Sequence, residues 1–426
     1  MADNLATMPR MPKEVKEQPK LKRVIGLPGA MMMGLGSIIG TGVFVSLGIG
    51  AGIAGASVLL AIVLAGGVAI CNGLSSAQLA ANHPVSGGTY EYGHRWLNPS
   101  LGFTAGWMFL CAKAASAATA ALGFAAYVAP ELSLPLGLGT VAVVTIITLT
   151  GMQRSNAVNI AIVSMVLLTL LAFVAVGASA VSENTSRLRP FLDGDRLTEL
   201  LQATALMFVA FTGYGRIATL GEEVAEPRRT IPIAVIATLG VTMLLYAAVA
   251  AVALANADGE FTSLAVLAER FGGATLGKAL LAGAGIAMVS VLLNLMLGLS
   301  RVVLAMGRRG DLPKATARIT ESTQVPAVAT VVVALLIAGL VCVGDLKLTW
   351  SFSAFTVLVY YVITNLCAIR LKPEERLYPA WTAYFGFVAC LSLAFFVEWR
   401  VTLVGLGLIA LGLIWKKIFW RATSAT

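Results

Sequence analysis

Long apolar runs, parted by short polar ones, are the dominant pattern along this chain. They fall at residues 24–52, 57–81, 101–129, 136–151, 157–181, 197–221, 231–255, 279–307, 325–343, 348–369, 380–396 and 401–418. Most have the roughly 18 to 28 residues that a helix needs to cross about 30 Å of hydrocarbon. The pattern predicts an all-α polytopic membrane protein with about twelve transmembrane helices. Residues 1–22 are polar, hold no apolar stretch of signal-peptide type, and read as a cytoplasmic tail.

Composition agrees. Of 426 residues, 58% are hydrophobic and 12% charged, about half the charge of a soluble domain. The net charge of +9 raises the question of nucleic acid, and its distribution answers it. With the N-terminus in the cytoplasm, about 20 Lys and Arg fall on the cytoplasmic side and about 7 outside, the positive-inside bias. The basic balance is therefore topological, its surroundings are membrane lipid, and a nucleic-acid role is set aside. Cys71, Cys111, Cys342, Cys367 and Cys390 lie in apolar spans without a CxxC pair, so neither a metal nor a redox cofactor is called for.

The first span contains GLGSIIGTGVF, residues 34–44. Its glycine spacing is reminiscent of a dinucleotide-binding turn, but that turn needs a strand before it and an acidic residue about 20 positions on. Neither is present: no Asp or Glu occurs from Val24 to Asn82. The run reads instead as a helix broken at mid-membrane. Gly36, Gly40 and Gly42 weaken the helix, and the restarted half presents free N–H groups and a positive dipole end suited to an anion. Close helix packing through small residues is the plain alternative. The sixth span carries a second interruption, MFVAFTGYGRIATLGEEVAEPRRTIP (residues 207–232), with Gly213 and Gly215 inside it. Two breaks five spans apart predict a 5+5 inverted repeat, residues 23–182 and 183–372, followed by two accessory helices in 373–426.

Four stretches then carry a family likeness: IIGTGVF, PVSGGTYEYGHRWL after the second span, AFTGYG followed by EEVAEPRRTIP, and LSRVVLAMGRRGDLP ending the eighth. In this order and spacing the chain resembles the amino acid–polyamine–organocation superfamily of permeases, from Arg23 to about Lys372. The resemblance implies a secondary transporter, not an enzyme, moving amino acids by alternating access. It implies that backbone around Ile39, Gly40, Thr41 and Gly42 binds the substrate α-carboxylate. The carbonyls of Ala210, Phe211 and Thr212, freed by the break at Gly213, would accept from the α-ammonium. A zwitterion suits such a pair of sites on physical grounds as well. An organic amine carrier or exchanger of the same fold, a channel and a nutrient-sensing receptor remain alternatives.

The segment with Tyr90, Tyr92 and Trp96 reads as an inner gate or as an interfacial loop packed for stability. His83 and His94 are the chain's two histidines, at the membrane edge. The acids and bases of EEVAEPRR read as a salt-bridged hinge. Three cations lie within spans, Lys113, Arg216 and Arg301, and intramembrane charge is costly enough to suggest function. Arg301 sits where it can snorkel. Lys113 and Arg216 have three open readings: selection against cationic or for anionic substrates, proton coupling by Lys113, or snorkelling and carbonyl contacts. Some relatives carry a coupling lysine in the fifth span, which here has none. Ser290 and Asn294, one turn apart in the eighth span, are candidates for lining the cavity or holding a coupling cation such as sodium, or for simple interhelical bonding. Where some relatives place a large aromatic over the substrate this chain has Val209, so that either Phe208 or Phe211 substitutes for it or the gate is looser. The short loops and tails predict a prokaryotic inner membrane, with both termini cytoplasmic. They do not specify an oligomeric state.

Overall fold

The computed structural model describes residues 25–83, 87–151, 156–189, 196–218, 224–257 and 263–423. Expectations for the tail at 1–22, for 84–86 of the second motif and for 219–223 with Glu222 lie outside these residues. Among the described residues there is no strand, only an isolated parallel bridge between Ile25 and Val224.

The helices are α1 (Leu27–Ile38), α2 (Leu47–Ala54), α3 (Val58–Asn82), α4 (Thr89–Trp96), α5 (Pro99–Val128), α6 (Ser133–Leu149), α7 (Asn156–Gly177) and the short α8 (Ser179–Glu183). They continue as α9 (Leu197–Phe211), α10 (Gly215–Ala218), α11 (Pro227–Asn256), α12 (Leu264–Arg309), α13 (Ala327–Val341), α14 (Leu346–Ile369), α15 (Ala380–Phe395) and α16 (Trp399–Thr423). A helix covers every apolar run read from the sequence. Among the described residues, eight helical stretches are long and apolar enough to cross a membrane; α13 and α15 are apolar but shorter. The first run divides into α1 and α2, and the sixth into α9 and α10, where the glycines were expected to break them.

Local signals set the ends. Asn98 caps α5 by accepting from Leu101 N–H at 2.9 Å, with Pro99 following, and Asp345 caps α14 through Leu348 N–H at 2.8 Å. The helix α12 begins earlier than the sequence suggested, because a separate first segment joins it through a kink at Gly273, φ 76°.

Burial sorts the helices by depth. In α5, 83% of the most apolar window is enclosed and in α14 72%, against 28% in α6 and α7 and 17% in α16. The reason is composition: α5 carries AKAASAATAALG over residues 112–123, and small residues let helices approach closely in lipid. It packs on α12 and α14. Hydroxyls stitch α5 to α14: Ser116 pairs with Ser353 at 2.7 Å, Ser353 donates to the Ala112 carbonyl at 2.9 Å, and Thr119 donates to Thr349 at 2.9 Å.

A second polar contact ties α15 to this core. The Asn365 amide of α14 donates to Asn72 Oδ1 of α3, and Asn72 donates to Cys390 Sγ of α15 at 3.1 Å. Both asparagines are fully buried. Replacing Asn72 by Leu leaves one of the two Asn365 amide protons unpaired while the other still donates to Tyr361 O at 2.9 Å. An unsatisfied buried donor costs about 1–3 kcal/mol, more than the roughly 0.6 kcal/mol average of an interhelical bond in a membrane. We expect a lower melting temperature in detergent for Asn72→Leu, with partial recovery in the Asn72→Leu/Asn365→Leu double variant.

Candidate functional site

The two breaks meet. The helix α1 ends at Ile39, whose backbone turns to φ −79°, ψ 110° after its N–H has bonded Leu35 O at 2.8 Å. A π-helical turn, Gly42–Ser46, then leads into α2. A helix start leaves its first N–H groups without intrahelical acceptors, which here puts those of Thr41, Gly42 and Val43 at the break. The second break is the tight turn Thr212–Tyr214 between α9 and α10. A Cβ on Gly213 would run into the Ser37 carbonyl oxygen, and one on Gly42 into the Tyr246 hydroxyl and toward Ala210 Cβ. Only glycine lets the two interrupted backbones lie this close.

Side chains from elsewhere secure the break. Tyr246 of α11 donates its hydroxyl to the Ile38 carbonyl at 2.9 Å, and Tyr127 of α5 donates to Phe44 O at 3.0 Å. Trp350 of α14 donates to both Ser46 Oγ and Leu206 O at 3.1 Å, joining the restarted half of the first run to α9. On the opposite side, Ala225 N–H bonds Ile25 O at 3.0 Å, so the chain entering α1 is tied to the chain leaving α10.

Lys113 reaches into this junction from α5. Its Nζ donates to Thr212 Oγ1 at 2.9 Å, and Thr212 in turn donates to Val209 O at 2.8 Å. Lys113 is 9% exposed and Thr212 2%. Among the described residues no carboxylate pairs with Lys113; its contact is a hydroxyl at the second break.

The remaining predicted residues fall nearby or apart. Ile39, Gly40, Thr41, Gly42, Ala210, Phe211, Thr212 and Gly213 cluster at the meeting of the breaks. The built Cβ of Gly40 would touch Val291 and the Ala287 carbonyl of α12, the same face that carries Ser290 and Asn294 one turn on. Ser290 is buried and has a polar contact, while Asn294 is half-buried. Arg216 is half-buried in α10 and has a contact of its own; Arg301 is exposed on α12. Of the aromatics considered in place of Val209, Phe208 meets Tyr361 edge-on at 5.5 Å and Phe211 tilts against Tyr246 at 5.5 Å. Tyr361, from α14, also packs on Tyr214 at 5.6 Å. Tyr246, Tyr127, Trp350 and Tyr361 were not singled out from the sequence; each is an aromatic with a polar tip in an apolar helix, a weak signal that does not name its partner.

A second cluster joins the other two motifs. Tyr90 of α4 donates to Asp311 Oδ2 at 2.6 Å, His94 Nε2 lies 3.9 Å from the same oxygen, and Glu91 pairs with Arg309, whose guanidinium sits 5.7 Å over the Tyr90 ring. Thr89 bonds Thr364 of α14 at 2.7 Å. Burial holds the His94 imidazole below the ordinary histidine range. The Arg309 and Lys416 charges push the same way, against the Tyr90 carbonyl and Asp311. His83 is lowered too, by burial and then by Arg95.

The comparisons with known proteins point the same way. The amino acid permease family matches residues 29–421. An uncharacterized transporter of Mycobacterium tuberculosis is 38% identical over 413 residues, 95% of this chain and 93% of the relative. Two proteins of Bacillus subtilis are each 28% identical: a branched-chain amino acid permease over 342 residues (74% of this chain, 73% of the relative) and a methylthioribose transporter over 391 residues (83% of each). With apolar helices along its length and that match from end to end, the chain is a multi-pass membrane protein that belongs to the amino acid permease family.

Proposed function

We propose that this protein carries amino acids across a cell membrane by alternating access, binding them where the two broken helices meet. The observation that carries the reading is the direct contact of the breaks. Gly42 lies against Ala210 and Gly213 against Ser37, so donors at Ile39–Gly42 and carbonyls at Ala210–Thr212, of which Thr212 O also accepts from Gly215 N–H, would take the carboxylate and the ammonium of one amino acid. The twelve crossings in a 5+5 repeat with two accessory helices, and the cytoplasmic placement of the α4–α12 cluster as inner gate, belong to this reading. So does a prokaryotic inner membrane with both termini cytoplasmic, where a proton or sodium gradient would supply the driving force. Lys113 counts against polyamines and other cations, since like charges in an apolar site repel strongly.

The test is uptake by the purified protein in liposomes, with all twenty amino acids screened with and without a proton gradient. We expect saturable, stereoselective uptake of acidic or neutral amino acids and trans-stimulation. High flux without saturation would indicate a channel, and no uptake of any amino acid would overturn the substrate class, with methylthioribose the next compound to try.

Two variants probe the parts separately. Gly213→Val drives a side chain into the Ser37 carbonyl; uptake should fall by about 100-fold or more, as a misplaced site permits, while the helical circular dichroism stays intact. Asp311→Ala removes the acceptor of Tyr90 at the proposed gate. Its uptake rate should change by about tenfold with binding affinity altered by less than about threefold, a rate effect without a binding effect. Equal losses in both would make the cluster a support for the fold.

A further inference from the structure

Lys113 stands out among the buried polar groups, because discrimination against cations does not account for its bond to Thr212. It is a buried cation at the substrate site with a hydroxyl, not a carboxylate, as its contact among the described residues. The direction of the bonds around Thr212 is informative. A lysine ammonium can only donate, and the Thr212 proton is directed to Val209 O at 2.8 Å. The Thr212 oxygen therefore accepts from Lys113. That oxygen belongs to the break whose carbonyls would receive a substrate ammonium, so Lys113 brings its own ammonium to the same break.

We propose that Lys113 is a built-in occupant of the ammonium subsite, so that the site takes a second ligand class: carboxylates without an amino group. The inference rests on the reading of the two breaks as the substrate site. An amino acid entering the site must displace Lys113 from Thr212, because two ammonium groups cannot share one small set of acceptors in an apolar setting. A 2-hydroxy acid or plain carboxylic acid leaves Lys113 in place. Its carboxylate lies on the N–H groups of Thr41, Gly42 and Val43, and its charge balances that of Lys113. A zwitterion beside a charged Lys113 leaves the site with one net positive charge; a monoanion leaves it neutral. Neutral sites are the ones that a low-dielectric interior favours.

The experiment is a binding comparison on the purified protein in detergent. The probes are an amino acid that the protein binds, its 2-hydroxy analogue of the same chirality, and the unsubstituted carboxylic acid. Wild-type protein should bind the 2-hydroxy acid within about tenfold of the amino acid. Lys113→Met should weaken both amine-free acids by about tenfold or more, because the charge that balances their carboxylate is gone, and leave the amino acid unchanged or tighter. Lys113→Gln keeps a donor for Thr212 without the charge and should give the same crossing pattern, which guards against a misfolded Met variant. Equal weakening of all three probes would overturn the proposal, as would wild-type protein that binds the amino acid and ignores both acids. If wild-type protein binds none of the twenty amino acids but does bind the acids, the subsite assignment stands and the amino acid reading falls. Binding of neither class overturns both.

Discussion

An apolar surrounding leaves no water to satisfy an exposed peptide group, and each orphaned N–H or C=O there costs several kcal/mol. Everything unusual in this structure follows from breaking two helices under that constraint. The Ile38 carbonyl would be an orphan were it not for the Tyr246 hydroxyl, and the Leu206 carbonyl takes a second donor in Trp350. The N–H groups at the restart of the first run are the ones left over, and they face the second break. Polar backbone that is expensive in a membrane is gathered where the two breaks meet, and aromatic side chains with a single polar tip cover part of it. The small residues of α5 serve the same end, since only a narrow helix can pass close enough for Lys113 to reach Thr212.

The sequence made the large features legible because they are properties of single segments. Apolar runs predict helices by length alone, and among the described residues helices lie along every run. Glycine pairs at 40/42 and 213/215 predict interruptions, and both runs are interrupted there. The contacts that complete the site are not properties of a segment. Trp350 is 304 residues from Ser46, Tyr246 is 208 from Ile38, and Lys113 is 99 from Thr212. Nothing near Tyr246 in LLYAAVA says which carbonyl its hydroxyl will find. Nor does the sequence around Lys113 name its contact, which the fold supplies as the Thr212 hydroxyl. The four stretches that carry the family likeness fold into two groups, the first with the third at the breaks and the second with the fourth at α4, a pairing that their order along the chain does not reveal.

One helix touches all of these places. The N-terminal turns of α14 hold Trp350 against Ser46 and Leu206; Tyr361 packs on Phe208 and Tyr214 at the second break; Thr364 bonds Thr89 of α4. From Trp350 to Thr364 is about 21 Å along the axis, most of the thickness of the hydrocarbon. Because α14 is also stitched to α5 by hydroxyls and to α3 by Asn365, it cannot shift at one level and stay fixed at the others. A ligand that alters the contact of Lys113 with Thr212 acts between Tyr361 on one side and α5 on the other. Under the proposed alternating access, the contacts at Trp350 and at Thr364 would not loosen together, and a stiff helix bearing both would be the simplest physical link between them. On that proposal the coupling would lie in which of the two ends α14 keeps bound while the breaks are occupied, rather than in any chain of side chains leading from one cluster to the other.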